Sequence, residues 1–194
     1  MEWKYVCLIK ECFGEEKGYL LTAIRKEDIA HIREWRNEQM DVLRQKALIS
    51  EQDQLAYFTH VIEPTFTQPH PRQILFSFLH TGICIGYGGL TNIDWENKRA
   101  EVSFLVNTKR AQEKETYAAD YWHFLHLLAG IAFNELGFHR LFAETFAFRE
   151  HHIHILETAG FKREGALREH VFKHNRWYDS IMHGLLAREY KNAQ

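Results

Sequence analysis

Two glycines constrain this chain more tightly than any other residues. Gly137 and Gly160 each stand directly after the last apolar residue of a helical stretch. There a left-handed backbone ends a helix at no steric cost. Between them the hydrophobic period changes. Residues 139–147 read as a strand, and residues 149–159 as a short helix stopped by Gly160. A long hairpin follows over residues 161–173 and 177–186, turning at His174-Asn175-Arg176. Upstream, Tyr121, Phe124, Leu128 and Ile131 recur at helical spacing and mark the buried stripe of the main helix.

The N-terminal half supplies the other elements. A strand pair is expected over residues 3–9 and 19–24, with a turn around Gly14 to Gly18. Ile29, Ile32 and Trp35 give an amphipathic helix. Ser50-Glu51-Gln52-Asp53 reads as a capping box opening a second helix, with Leu55, Phe58 and Ile62 on one face. All three prolines, Pro64, Pro69 and Pro71, fall in the next segment, which reads as a loop because proline removes a donor and fixes φ. Residues 73–79, 83–94 and 99–106 form three strands with turns at Thr81-Gly82 and Glu96-Asn97. In the last of them Ala100, Val102, Phe104 and Val106 alternate with Glu101, Ser103 and Leu105. The order β–β–α–α–β–β–β–α–β–α–β–β suits an α+β domain on a mixed sheet. A single domain over residues 1–194 is expected, since about 63 residues before the prolines would make a marginal core.

Composition excludes several classes. With 45% apolar and 14% aromatic residues the chain is not of the disordered type. A formal net charge of −2 provides no global positive field, so neither nucleic acid nor an anionic membrane is expected as a partner. Cys7, Cys12 and Cys84 are odd in number and lack metal-ligand spacing, which points to a reducing compartment. No apolar run approaches a membrane span, and Met1-Glu2-Trp3-Lys4 lacks the apolar region of a signal peptide. A cytoplasmic location is expected.

The ordered string "ELGFHR" to "AGFKREGALREHVFK" resembles the second half of the GNAT acyl-CoA N-acyltransferases. It resembles in particular the branch of the ribosomal-protein N-terminal alanine acetyltransferases and spermidine acetyltransferases. The segment "EWRN" at residues 34–37 is similar to one in that branch, including amino-sugar acetyltransferases. The resemblance implies a GNAT fold, a mixed twisted sheet with splayed central strands and flanking helices. It implies acetyl-CoA as co-substrate, no metal, and direct attack by a primary amine: a protein N-terminus, an amino-sugar nucleotide or a small amine. A homodimer is left open.

Site residues follow from the same resemblance. Glu101 matches the glutamate of the family's "RRAE" and would accept the amine's proton, with a surface glutamate on a polar strand face as the other reading. Phe104 and Val106 lie on the strand beside which pantetheine would add like an extra strand. The pyrophosphate loop, residues 107–119, contains no glycine and is longer than usual. Lys109 and Arg110 would supply charge and Thr116, Tyr117, Ala118 and Ala119 the close backbone approach. Glu113 and Glu115 oppose this, and a solvated loop with weakened CoA binding is the competing reading. Arg149 stands where the family has asparagine, and Leu156 where it has the tyrosine that protonates the leaving thiolate. Tyr117 or His152 would have to substitute. Trp35, Arg36 and Asn37, together with Tyr178 and Asp179, would contact the acceptor, or else serve as a helix end and as strand packing.

Two further patterns are read as structural. The cluster His151, His152 and His154 lacks an HExxH or acidic partner, so no metal is expected. Gly86-Tyr87-Gly88-Gly89 does not open a helix and reads as a bulge or bend beside a ligand. The departures in the loop and at Leu156 leave one alternative function, a GNAT-fold ligand-binding or regulatory protein with little activity.

Overall fold

The alternation over β5 (Arg99–Val106) becomes the middle of an eight-stranded sheet in the computed structural model, which describes residues 4–14 and 17–192. Ahead of it in the chain come β1 (Cys12–Gly14), β2 (Tyr19–Ala23), β3 (Ile74–His80) and β4 (Ile83–Asp94). After it come β6 (Arg140–Phe146), β7 (Lys162–Lys173) and β8 (Arg176–Leu186). The spatial order is β1-β2-β3-β4-β5-β6-β8-β7. Every neighbouring pair is antiparallel except β5 and β6, which run parallel. That parallel pair needs a crossover, and the main helix supplies it.

The helices are α1 (Ile29–Glu38), α2 (Glu51–Tyr57), α3 (Thr108–Gln112), α4 (Lys114–Gly130), α5 (Glu150–Thr158) and α6 (Ala187–Asn192). Alternate residues of β3 serve the two faces of the sheet. Leu75 lines a chamber with Ile32 of α1 and Phe58 just past α2, while Phe78 packs edge-on against Phe124 of α4, with ring centroids 5.4 Å apart. Tyr121, Phe124, Leu128 and Ile131 are all buried, as their spacing requires. Gly137 and Gly160 have φ of 64° and 96°, the left-handed conformation expected of helix stops. Among the described residues no helix is long and apolar enough to cross a membrane.

Three expectations are corrected. The strand placed at residues 3–9 is turn and coil where described, and the first strand is Cys12–Gly14 instead. Only Tyr5 and Leu8 are buried, three residues apart, while Val6 and Ile9 face solvent. The segment docks by a turn, with the Tyr5 hydroxyl donating to Leu75 O and accepting from Leu75 N, both at 2.9 Å. The proline segment is not all loop, because Pro64 starts a short 3₁₀ turn, Glu63–Thr67. The buried face of α2 runs through Gln54, Phe58 and Ile62 and leaves Leu55 exposed. Ser50 caps that helix as expected, its hydroxyl accepting from Asp53 N at 3.1 Å.

The glycines of β4 make room for packing. A Cβ on Gly88 would sit 2.1 Å from Ser103 O and 2.7 Å from the Phe124 ring. Close approach of α4 and β5 therefore accounts for Gly88 without a ligand.

Candidate functional site

β5 and β6 pair at only three positions, Arg99–Arg140, Ala100–Leu141 and Glu101–Phe142. Beyond Glu101, β5 remains with β4 as far as the Val106–Gly86 pair. β6 meanwhile follows β8 to Phe146–Ser180. The strands part, and a cavity of about 430 Å³ opens between them, lined by Glu101, Phe104, Glu144, Phe146, Arg149 and His152. Its walls include strand edges that no neighbouring strand covers, a surface that an extended amide-bearing chain can pair with.

Glu101 sits where the pairing ends and is buried. Its Oε1 accepts from Arg44 Nη2 at 2.7 Å and its Oε2 from Asn92 Nδ2 at 2.5 Å. The same Arg44 nitrogen donates to Glu144 Oε2 at 2.9 Å. One guanidinium thus bridges two cleft carboxylates. The Arg44 side chain is 53% exposed and that of Glu101 only 9%, so the guanidinium can withdraw into solvent, but the buried carboxylate then calls for another cation in its place.

Across the cleft, Tyr117, His152 and Arg149 form a second cluster. Tyr117 Oη and His152 Nδ1 are 2.6 Å apart, and Arg149 Nη2 donates to Tyr117 Oη at 3.1 Å. Tyr121 stacks on the His152 ring with centroids 4.2 Å apart. Burial, and then the charge of Arg149, hold the His152 imidazole well below its ordinary value of 6.5. Burial raises the Tyr117 phenol, against the opposing pull of Arg149. A neutral imidazole accepting from a protonated phenol satisfies both shifts.

A pH dependence follows. A histidine whose folded pKa lies below its unfolded one gains its proton first in the unfolded chain. Its contribution to stability is complete above about pH 6.5 and is lost as pH falls further. Thermal melts between pH 7.5 and 5 are expected to show His152→Gln losing stability less steeply than the wild type, by up to about 1.4 kcal/mol per pH unit. Equal slopes would remove His152 from the acid-side loss.

The segment after β5 differs from the expected open loop. Asn107 caps α3, its Oδ1 accepting from Lys109 N and Arg110 N, and α4 begins at Lys114. Arg110 is withdrawn from any phosphate role. Its Nε and Nη2 donate to the fully buried Asp120 at 2.7 Å each, and Tyr19 Oη donates to the same carboxylate at 3.0 Å. Removing the arginine would strand a buried charge. The amides of Tyr117, Ala118 and Ala119 also belong to the helix, with Tyr117 N already donating to Glu113 O at 2.8 Å. The unpaired helix-start amides are those of Lys114, Glu115 and Thr116. Lys109 is exposed.

The expected acceptor residues separate. Arg36 lines the cleft. Trp35 is a core residue at 5% exposure. Asn37 is committed to the following loop: its Oδ1 accepts from Gln45 Nε2 and Ile49 N, and its Nδ2 donates to Ile49 O, all at 2.9 Å. Tyr178 packs against Phe148 and under Arg176, and Asp179 Oδ1 accepts from Glu169 N. Neither lines the cleft, because the β7–β8 hairpin uses them internally. Val106 is likewise buried, its carbonyl accepting from Gln39 Nε2 at 2.8 Å, whereas Phe104 faces the cavity. Leu156 is wholly buried, so nothing at that position reaches a leaving group. The three clustered histidines diverge, His152 to Tyr117, His151 to Lys114 O, and His154 to solvent.

Sequence reasoning missed Arg44, Asn92 and Glu144. Arg44 lies in a loop without periodicity, held over the cleft by Lys173 Nζ, which donates to Met40 O and Leu43 O at 2.7 and 2.8 Å. Glu144 carried a signal: it shares a strand face with Phe142, the register partner of Glu101.

A mixed sheet whose central parallel pair opens into a cleft, with a helix starting below the opening, defines the acyltransferase class implied by the sequence. The acetyltransferase (GNAT) domain model matches residues 21–182. The chain belongs to the GNAT family and is an N-acetyltransferase of that class. No curated protein matches the sequence. Among solved structures, it is similar to spermidine N-acetyltransferase from Vibrio cholerae in complex with CoA and spermine. That match has a TM-score of 0.79 at 18% identity over 90% of this chain and 99% of that one. The dodecameric form of the same enzyme in an intermediate state matches with a TM-score of 0.74 at 18% identity, over 91% and 98% of the two chains.

Proposed function

We propose that this protein transfers an acetyl group from acetyl-CoA to a primary amine by direct attack in the cleft between β5 and β6. The observation that carries the reading is the loss of pairing immediately after Glu101–Phe142, with two carboxylates and a buried phenol–imidazole pair on opposite sides of the opening. Pantetheine amides pair with the β5 edge around Phe104, and the phosphates lie toward the free amides of residues 114–116, with Lys109 and Lys114 adding charge.

The acceptor enters as an ammonium and takes the place of the Arg44 guanidinium between Glu101 and Glu144. Glu101 accepts one proton, which frees the nitrogen lone pair. The new N–C bond forms at the thioester carbon, a backbone N–H at the splay holds the oxyanion, and the C–S bond breaks with its electron pair on sulfur. The second proton leaves nitrogen as the intermediate collapses and passes through water to the Tyr117–His152 pair, replacing the proton that this pair gives to sulfur. The departing thiolate is met by Arg149 and reprotonated from the Tyr117–His152 pair. A cationic acceptor is supported by the two carboxylates, and by the likeness to an enzyme described with spermine bound.

The test is thiol release from acetyl-CoA with a panel of primary amines, alongside acetyl-CoA binding by thermal shift. Saturable, amine-dependent release is expected. Tight acetyl-CoA binding with no release for any amine would instead support the ligand-binding reading.

A further inference from the structure

A second chamber of about 380 Å³ lies beneath α1 and α2, walled by Ile32, Phe58, Ile62, Leu75 and Tyr87. Arg36, Thr91 and Ser103 line both this chamber and the cleft, so the two spaces adjoin. The catalytic reading above uses none of it. The size falls within the range of small-molecule sites, and the apolar walls are interrupted by polar side chains, among them Arg36, Asp53, Gln54 and Gln73.

Two polar groups there have hydrogen-bonding capacity to spare. Gln54 is only 8% exposed and lines the chamber, yet its side-chain amide makes no hydrogen bond among the described residues. Its amide atoms are not among the fully enclosed ones, so the amide is open to the chamber and available to a ligand. Arg36, at the junction, donates from Nε to Gln45 Oε1 at 3.1 Å and from Nη1 to Tyr87 Oη at 2.5 Å. Among the described residues it meets no carboxylate, and the rest of its guanidinium fork stays open. An arginine fork without an anion beside a carboxylate-lined cleft suits a ligand that carries a carbonyl or carboxylate close to its amine.

We propose that the acceptor is an α-amino acyl unit with a large side chain, either a free amino acid or the first residue of a peptide. Its ammonium lies between Glu101 and Glu144, and its carbonyl or carboxylate meets Arg36. The side chain fills the chamber, apolar along its length and hydrogen-bonded at its tip to Gln54. This deepens the acetyl-transfer reading and rests on it for chemistry, but the binding geometry can be tested separately.

The experiment compares tyrosinamide, phenylalaninamide, glycinamide and spermidine, with free tyrosine and a Tyr-Ala-Ala tripeptide distinguishing the two sources. Thiol release gives kcat/KM and calorimetry gives affinity. The wild type is expected to favour tyrosinamide over glycinamide and over spermidine by about 10-fold or more, from burial of the side chain. Gln54→Trp, which fills the chamber, should abolish the tyrosinamide preference while glycinamide is still turned over. Gln54→Leu keeps the shape and should erase only the advantage of tyrosinamide over phenylalaninamide. It also serves if the tryptophan variant does not fold. A preference for spermidine, or a tyrosinamide preference that survives both variants, overturns the proposal. If no amine is acetylated, the acetyl-transfer reading fails by itself. Calorimetric binding of tyrosinamide, weakened by Gln54→Leu, would then still uphold the chamber, and its absence would overturn it.

Discussion

Glu101→Gln is expected to lower turnover by about 10²–10⁴-fold near neutral pH, the usual contribution of a general base. Affinity for acetyl-CoA should be nearly unchanged, because the carboxylate stands at the closed end of the splay and not along the strand edge that would pair with pantetheine. Glutamine keeps the length and planarity of the side chain but accepts through one oxygen only, while Arg44 and Asn92 both donate to the native carboxylate. An alkyl amine has a pKa of roughly 10 and an α-amino group one of about 7.7–8.0, so either is mostly protonated at pH 7. The deficit should therefore shrink as pH rises and the amine loses its proton unaided. Turnover equal to wild type at every pH would make Glu101 an anchor for Arg44 alone.

Gly88→Ala is expected to damage the fold more than any comparably small change in the sheet. The added carbon would meet Ser103 O at 2.1 Å, a backbone atom of β5, and the fully buried Phe124 ring at 2.7 Å. Neither yields without disturbing the β4–β5 pairing or the seat of α4. Overpacking of this kind costs about 3 kcal/mol or more, which lowers the melting temperature by about 6–12 °C in a chain of this length. Acetyl-CoA binding should weaken as well, since Ser103 and Phe104 line the cleft. Gly165→Ala is the control: nothing lies within 4 Å of its added carbon, and it should melt close to wild type. Coincident melts of the two variants would show that the β4–β5 approach is softer than the packing implies.

What could be read in advance tracks how much of each element is dictated locally. The helix stops at Gly137 and Gly160, the β5 strand and the stripe of α4 are near-neighbour patterns, and the structure reproduces them with ends shifted by a residue or two, although burial along β5 does not alternate. That β5 and β6 splay apart followed from family resemblance, not from spacing, and the Glu101–Phe142 register at which they part is seen only in the structure. The N-terminal strand was misplaced because Tyr5 is anchored by hydrogen bonds to Leu75 of β3, seventy residues away. Arg110 looked available for phosphate because its partner Asp120 lies on the next helix and reads there as one more polar residue. Arg44 carried no signal at all, since a loop side chain is placed by tertiary contacts such as those of Lys173. Gln54 was masked by the assumption that the apolar Leu55 faces inward.

The central claim is that acetyl-CoA occupies the gap where β5 and β6 part. A crystal structure with CoA bound tests it most directly. The account predicts pantetheine hydrogen-bonded along residues 102–106, with its sulfur between Glu101 and Arg149 and its phosphates near residues 114–116. CoA held elsewhere on the protein, with the gap between the strands left open, would contradict it.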